Sequence, residues 1–421
     1  MREKYFNSLI LGDYYITWLS NFMKDYKDID DIYFVHNHSL SNEDRIMIDY
    51  LKDLFIELNK YAAKNDLIKE NIFSYLLKYK DEVYKVEFNG EGYSCIKYDK
   101  DIKNNTCIDY KDLKKQLSKQ MNINFTFLDT RVFDALHNTD LDKIRYELKK
   151  IDRPTLVSGV GGSNVVSEFV SKVLRKKNGI ITLNVEPRDF VYDDFQGFDN
   201  VISCSYSGNN YGVDLSFNND KKHYLLSNNS FDNPDVTYLK YETTFPEENS
   251  FISLGATLIP ISIALSYYDE NELFEKVKNK PSFDFETSCN AFEIFTGSDT
   301  SVTSKYLEST LVESGIGIPI VHDKYSYCHG RSTISINYYN VVIYLNRNTK
   351  LDNILLEELK RYYKDVIVLN SDETDQIKAD FDMLIQSMYL TKYLASKKHK
   401  DLSKVDYSPL CKKLYRYNNQ V

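Results

Sequence analysis

The sequence predicts an α/β protein with two successive doubly wound (flavodoxin-like) parallel sheets, preceded by an α+β region. Short apolar segments alternate with helix-like segments from about residue 122 onward, which is typical of βαβ units. Small polar residues and glycines follow several of the apolar segments, where a parallel sheet presents its loops. The same alternation begins again after Pro281, so we expect two units of roughly 120 residues each.

The first unit begins with a helix predicted over Leu141 to Lys150. "TLVSGV" then predicts a strand, "NVVSEFVSKVLRKK" a helix, and "GIITLNVE" and "NVISCSYSG" two further strands. The segments "KHYLLSNNS" and "VTYLKYE" continue the series of strands. The long apolar stretch "SLGATLIPISIALSYY" predicts a buried helix.

The second unit follows the same alternation. Strands are predicted for "NAFEIFTG", "IPIVHDKY", most of "TISINYYNVVIYLN" (residues 333–346), and "DVIVLN". Helices are predicted for "SVTSKYLESTLVESG", "LDNILLEELKRYY" and "FDMLIQSMYLTKYLASKK".

The N-terminal region has a different character. Helices are predicted at Tyr5 to Lys24 and at Ser41 to Ala63, and alternation around Asn89-Gly90 predicts a hairpin from Glu82 to Asp99. The predicted organisation is an N-terminal α+β region of unknown role (1–120), a first parallel-sheet domain (121–275), a second (276–390) and a C-terminal tail (391–421).

Composition restricts the classes of function. Of the 421 residues 42% are hydrophobic and 27% are charged, as in globular proteins, and no apolar run is long enough to span a membrane. The formal net charge of −9 argues against nucleic acid as a partner. Six scattered cysteines without a CxxC pair argue against a zinc site and a disulfide framework and predict a reducing, cytoplasmic location.

Two loops carry the chemistry. "GVGGS" (residues 159–163) joins a predicted strand to a helix, where free N–H groups and the positive end of the helix dipole favour an anion. It lacks the third glycine of the dinucleotide fingerprint and the lysine of a P-loop. Alone, it is equally compatible with a tight turn that binds nothing. "SYSGNN" (residues 205–210) follows the next-but-one strand, and its hydroxyls and amides suit a phosphomonoester.

Together these loops resemble those of the sugar isomerase (SIS) domain family. "GVGGS" looks like the GxGGS loop, and "SYSGNN" the SYSGNT loop, of bifunctional phosphoglucose/phosphomannose isomerases, and "SLGATLIPI" resembles the helix after the sugar-binding loops. The resemblance covers residues 150 to 415 and implies tandem SIS domains. It further implies that the phosphate or sugar is bound by Gly161, Gly162, Ser163, Ser205, Ser207 and Asn210. Asn210 replaces the threonine of the family.

The second unit resembles the isomerase half of glucosamine-6-phosphate synthases. Glu313 precedes His329 by sixteen positions, the spacing of a glutamate and a histidine in that family, and Lys404 matches a lysine near its C-terminus. The resemblance implies that Glu313 moves a proton between C1 and C2, that His329 opens the sugar ring, and that Lys404 stabilises negative charge. A second family lysine falls on Thr310, and Arg331 is a further candidate clamp for the substrate.

The resemblance therefore implies an enzyme, an aldose–ketose isomerase of phosphorylated sugars or a related deglycase or deaminase. It would need neither metal nor cofactor and would act as a homodimer, with the histidine reaching the neighbouring subunit. The alternative is a sugar-phosphate sensor without catalysis, in which the N-terminal region binds an effector or partner. Each of Glu313, His329 and Lys404 also has an ordinary structural interpretation, as a solvated helix end, a turn cap and a tail lysine.

Overall fold

The structure, a computed structural model, describes five short segments of the N-terminal region and most of residues 124–403. The N-terminal segments are residues 3–5, 73–79, 82–88, 93–97 and 107–109. Within 124–403 the description omits residues 126–127, 232, 244–247, 249, 270–273, 279–280, 286–288, 337–338, 399 and 401. The chain divides into two compact units, residues 1–127 with 245–249, and residues 128–244 with 250–421.

The first unit contains an antiparallel sheet. Its strands are β1 (Glu3–Tyr5), β2 (Phe73–Tyr79), β3 (Glu82–Phe88), β4 (Tyr93–Lys97) and β5 (Cys107–Asp109), in the order β4-β3-β2-β1-β5. The predicted hairpin is confirmed, since β3 and β4 pair in antiparallel and Phe88 lies opposite Tyr93. The helices predicted between residues 6 and 63 lie outside the described residues, and Tyr5 ends a strand.

The second unit begins with a five-stranded parallel sheet. Its strands are β6 (Thr155–Ser158), β7 (Thr182–Val185), β8 (Asn200–Cys204), β9 (Lys222–Ser227) and β10 (Val236–Lys240), and every neighbouring pair is parallel. The order β7-β6-β8-β9-β10 is the 2-1-3-4-5 order of flavodoxin-like folds. β6 and β8 are buried throughout, which explains their continuous apolar sequence.

Among the described residues, five α-helices accompany this sheet. They are α1 (Leu128–Asn138), α2 (Leu141–Lys149), α3 (Gly162–Lys177), α4 (Tyr211–Phe217) and α5 (Leu254–Tyr268). The carboxylate of Asp140 caps α2 by accepting from the Lys143 N–H. α5 is apolar around most of its circumference and packs on α1 and α3, so it is the most buried helix of this half.

The second parallel sheet has four strands, β11 (Ala291–Thr296), β12 (Ile318–Asp323), β13 (Val341–Asn346) and β14 (Val366–Asn370). Their order is β12-β11-β13-β14, the 2-1-3-4 order, and all described pairs are parallel. The helices of this half are α6 (Phe274–Lys278), α7 (Ser301–Glu313), α8 (Lys350–Tyr362) and α9 (Gln376–Lys397). The predicted fold class, two successive doubly wound parallel sheets, is confirmed.

The strand predicted over residues 333–346 is wrong in its first half. Residues Arg331–Ile336 form a 3-10 helix, and the strand begins only at Val341. The hydroxyl of Thr333 donates to the Gly330 carbonyl at 2.6 Å, a local bond that competes with strand formation. Gly330 has a φ of +108°, which turns the chain before the helix.

Helices α3 and α7 join the two sheets as an antiparallel pair. Lys305 on α7 donates to Asn164 near the start of α3, and Ser301 at the start of α7 donates to Glu168 one turn further along α3. Burial opposes ionisation of Glu168, but Lys305, Ser301 and a hydrogen bond from Asn184 together lower its pKa. The C-terminal end of α7 therefore lies beside the N-terminal end of α3.

A buried ion pair organises the loops of the second sheet. Lys324 donates to Asp352 at 2.7 Å, and both side chains are almost fully buried. Asp352 also accepts from the N–H and hydroxyl of Thr349, the N-cap of α8, and from the hydroxyl of Tyr344. Burial alone would raise the pKa of Asp352, but the Lys324 and Thr349 bonds lower it below its ordinary value.

We expect Asp352→Asn to destabilise the protein by about 3 kcal/mol at neutral pH, because it leaves the Lys324 ammonium buried without its counter-ion. The folded-state pKa of Asp352 is lowered, so its contribution is present above the unfolded pKa of about 3.9 and is lost as pH falls toward the folded value. Urea unfolding of wild type and variant at pH 7 and below pH 4 measures this. Asp372→Asn, at an exposed carboxylate, is the control. A cost that does not shrink below pH 4 would contradict the assignment.

Within the described part of the chain, no helix is both long and apolar enough to cross a membrane.

Candidate functional site

Both motif loops lie where the order of the first sheet reverses. The chain leaves β6 in one direction to form β7 and later enters β8 on the other side of β6, so the loops after β6 and β8 flank this switch point. Open parallel sheets bind ligands at such points, outside the carboxyl ends of their strands. The first loop lies close to the start of α4, the helix that follows the second loop, because a Cβ built at Gly212 would lie 2.9 Å from the Val160 side chain.

A cavity of about 170 Å³ lies beside the first loop. Its wall is formed by the start of α3, the segment that leads into α5, and one face of α7. The lining residues are Val160, Gly162, Ser163, Val165, Phe251, Ile252, Ser253, Ala256, Thr257, Tyr306, Ser309, Thr310 and Glu313. The two parallel-sheet halves of the chain therefore build one cavity together.

The cavity brings together three residues that the sequence singled out. Gly162 and Ser163 come from the glycine-rich loop, and Glu313 comes from the last position of α7. A Cβ added at the neighbouring Gly161 would lie 3.8 Å from Oε1 of Glu313, so the carboxylate faces this loop. Among the described residues the Ser163 hydroxyl has no hydrogen-bond partner, so it can bind a ligand oxygen.

Glu313 is the one charged side chain among the described residues that line the cavity. Its Oε1 accepts a hydrogen bond from the Ser309 hydroxyl at 2.6 Å. The antiparallel arrangement of α3 and α7 places this carboxylate at the N-terminus of α3, where the helix dipole favours negative charge. An ionised carboxylate beside neutral hydroxyls can accept a proton from a bound molecule.

The first glycine of the loop allows close contact between the loop and its own helix. A Cβ at Gly159 would lie 2.3 Å from the Ser163 carbonyl oxygen and 2.6 Å from its carbon, which are backbone atoms that cannot rotate away.

We therefore expect Gly159→Ala to displace the first turn of α3 and to destabilise the protein by roughly 1 to 3 kcal/mol. Thermal unfolding checks the stability, and titration with a sugar phosphate checks the loop. Gly179→Ala is the control, since Gly179 has a φ of +69° but no atom within 4 Å of the added Cβ. A Gly159→Ala protein that unfolds at the wild-type temperature would show that the loop accommodates the added Cβ beside Ser163.

The groups of the second loop (residues 205–210) form hydrogen bonds with one another. The Ser205 hydroxyl accepts from the Gly208 N–H at 3.1 Å and from the Asn210 amide at 2.8 Å. Oδ1 of Asn210 accepts from the Val213 N–H and so caps α4. Ser207 is exposed. None of Ser205, Ser207 and Asn210 lines the cavity.

The remaining predicted site residues lie off the cavity or beyond the description. His329 is exposed in the loop after β12, and exposed Arg331 donates to the Val321 carbonyl at 2.8 Å. Lys404 lies outside the described residues. The described tail ends beside the cavity wall, because the Phe251 N–H donates to the carbonyl of Ser403 at 3.2 Å.

Sequence reasoning missed the hydroxyl and aromatic groups that surround Glu313. Tyr306, Ser309 and Thr310 precede Glu313 by seven, four and three positions, so one face of α7 presents them together. That spacing was a signal in the sequence. Ser253, Ala256 and Thr257 belong to "SLGATLIPI", which the resemblance had marked, but no signal marked Phe251, whose place at the cavity depends on how α5 packs against α3.

In the part of the chain that the structure describes, no group of three or more His, Cys, Asp or Glu side chains is placed to hold a metal ion.

Comparison with known proteins gives relatives by fold. No family model matches the sequence, and no curated protein matches it either. A candidate phosphosugar isomerase from Clostridium difficile 630 is similar over 70% of this chain and 98% of its own, with a TM-score of 0.55 and 13% identity. Tagatose-6-phosphate ketose/aldose isomerase from Escherichia coli is similar over 68% and 96%, with a TM-score of 0.54 and 13% identity.

Glucosamine-6-phosphate deaminase from Thermotoga maritima is similar over 65% of this chain and 98% of its own, with a TM-score of 0.50 and 16% identity. At sequence identities of 13 to 16%, these comparisons show a shared fold and nothing more. About two-thirds of this chain therefore shares the fold of these phosphosugar isomerases, as the resemblance of its loops to the sugar isomerase (SIS) family implied.

Proposed function

We propose that this protein is an aldose–ketose isomerase of a phosphorylated sugar, or a related deglycase or deaminase, that works by proton transfer through an enediol-type intermediate. The observation that carries the proposal is the shared cavity of Ser163 and Glu313. A neutral phosphate-type loop and an ionisable carboxylate come from different halves of the chain and meet at one space. The fold likeness to phosphosugar isomerases supports the same class of substrate.

In this proposal Glu313 is the base. In the open-chain aldose the C2 proton is acidified by the C1 carbonyl, and Glu313 removes it to leave an enediolate. The same carboxyl returns the proton to C1, while the O2 proton passes to O1, and a ketose results. The reaction is an isomerisation, so it consumes no other reactant.

The remaining predicted residues take supporting roles. Ser163, Ser205, Ser207 and Asn210 bind the phosphate through hydroxyl, amide and backbone groups, and Gly161 and Gly162 let the backbone approach it. Lys404 stabilises the enediolate, and the path of the tail beside Phe251 supports this placement. His329, exposed and off the cavity, opens the ring from a second copy of the chain in a homodimer. Arg331 is an additional clamp in the same loop.

A sugar-phosphate sensor is the second candidate, and one observation favours it. The Asn210 amide donates to the Ser205 hydroxyl, and Oδ1 of Asn210 accepts from the Val213 N–H at the start of α4. These side chains must break those hydrogen bonds before they can bind a phosphate. Asn210 also lacks the hydroxyl that the family threonine supplies.

Proton exchange separates the two candidates. The protein is incubated in D2O with glucose 6-phosphate, fructose 6-phosphate, glucosamine 6-phosphate and tagatose 6-phosphate, and the C1 and C2 protons are followed by NMR. Exchange in at least one of these compounds is the result expected of an isomerase. Calorimetric binding without exchange of any proton would overturn the isomerase and establish the sensor.

A further inference from the structure

We propose that Ser309 is a positioning residue for Glu313: its hydroxyl holds one carboxylate oxygen and thereby fixes the orientation in which the other meets a bound molecule. The consequence for catalysis rests on the function proposed above. The orientation itself can be tested without knowing the substrate.

Helix geometry places the two side chains together. Ser309 and Glu313 are four residues apart on α7, so both point from the same face, and both line the cavity. The Ser309 hydroxyl donates to Oε1 of Glu313 at 2.6 Å, a short and therefore close hydrogen bond.

Glu313 has little else to orient it. Over the described residues, Ser309 is the only hydrogen-bond donor found for this carboxylate, and none of the ion pairs includes it. A Glu side chain has three rotatable bonds and sits here in the last turn of α7, where the helix dipole of its own helix disfavours a negative charge. A short donor one turn back selects one rotamer among several.

Position 310 carries no charge in this chain. The family pattern has a lysine there, three residues before the glutamate, and this chain has Thr310, which is buried in the cavity wall. No cation lines the described cavity, so the hydroxyl of Ser309 is the group that the described structure places on the Glu313 carboxylate. A carboxylate that is held in place reacts faster, while the affinity of the cavity for the rest of the ligand depends on other groups.

An epoxide probe measures this orientation. With 1,2-anhydromannitol 6-phosphate, a carboxylate oxygen attacks C1, the C1–O bond of the epoxide breaks, and the alkoxide takes a proton from water. An ester on Glu313 remains and is located by peptide mass spectrometry. The rate constant of inactivation (kinact) reports orientation, and the half-saturation concentration (KI) reports binding.

We expect Ser309→Ala to lower kinact by roughly tenfold to a hundredfold with KI within about twofold of wild type. Ser309→Thr keeps the hydroxyl and should restore most of the rate. Ser304→Ala is the matched control, because its hydroxyl donates to the Ser301 carbonyl on the same helix and lies outside the cavity wall. The Ser304→Ala protein should react with the epoxide at the wild-type kinact.

Several outcomes overturn the inference. Wild-type kinact in Ser309→Ala would show that the hydroxyl does not orient Glu313. Equal losses in Ser309→Ala and Ser304→Ala, or no rescue by Ser309→Thr, would show a general effect on α7. Absence of an ester on Glu313 in the wild type would show that this carboxylate does not face a bound sugar phosphate. The proposed function fails separately, if the wild type is labelled at Glu313 yet exchanges no sugar proton.

Discussion

Glu313→Gln is expected to lower the rate of C2 proton exchange by roughly a factor of 10² to 10⁴, the usual contribution of a general base. Glutamine has nearly the shape of glutamate and can still accept the Ser309 hydrogen bond, but its amide cannot take a proton from carbon. The loss should appear as unexchanged C2–H intensity in the NMR spectrum in D2O, with the sugar phosphate that the wild type exchanges. The affinity of the variant for that sugar phosphate, measured by calorimetry, should change little, because the loops bind the phosphate.

Helix α7 supplies its own control for this experiment. Glu308 lies five residues before Glu313 and is exposed, so Glu308→Gln makes the same chemical change away from the cavity. We expect wild-type exchange from it. Full exchange in Glu313→Gln would remove Glu313 from the mechanism. A folded Glu313→Gln that has lost binding would instead make it a ligand-binding residue.

Lys172→Met is expected to cost about 3 to 5 kcal/mol of stability, because it breaks a buried ion pair that joins the two parallel-sheet halves. Lys172 on α3 donates to Asp380 on α9 at 2.5 Å, and their side chains are 9% and 0% exposed. Asp380 also accepts from the N–H groups of Val302 and Thr303, so it caps α7 from a neighbouring helix. The variant leaves the Asp380 charge buried and loosens the helix that carries Glu313.

Urea unfolding followed by circular dichroism measures this cost. Lys240→Met is the matched control, because the Lys240–Glu242 pair is largely exposed and its loss should cost less than about 1 kcal/mol. If Lys172→Met costs no more than Lys240→Met, the pair does not hold the two halves together. If the Lys172→Met protein loses both stability and proton-exchange activity, the position of α7 depends on the Lys172–Asp380 pair.

Much of the fold could be predicted because its signals are local. The buried strands β6 and β8 read as apolar runs, and the glycines and serines after them marked the loops of a parallel sheet. The error at residues 333–346 has a local cause as well. A β-branched and aromatic stretch favours a strand by composition, but Gly330 and the Thr333 hydroxyl set up a 3-10 turn instead.

The candidate site could be predicted only in part. The sequence marked Ser163 and Glu313 separately, and the structure shows that they line one cavity. It also marked Ser205 and Asn210 as phosphate ligands, and the structure shows these side chains in local caps and turns. Such residue types bond equally well to a ligand and to neighbouring backbone, and the sequence does not distinguish the two.

The sequence by itself determined the order of strands and helices, the two motif loops and the identity of the ionisable residues, because each depends on neighbours within a few positions. Only the tertiary structure decided which of those residues meet. The meeting of Ser163 and Glu313, 150 positions apart, depends on the antiparallel packing of α3 against α7 and on the buried contact of Lys172 with Asp380. Those are contacts between distant segments, and they arise from packing and burial, which local pattern does not encode.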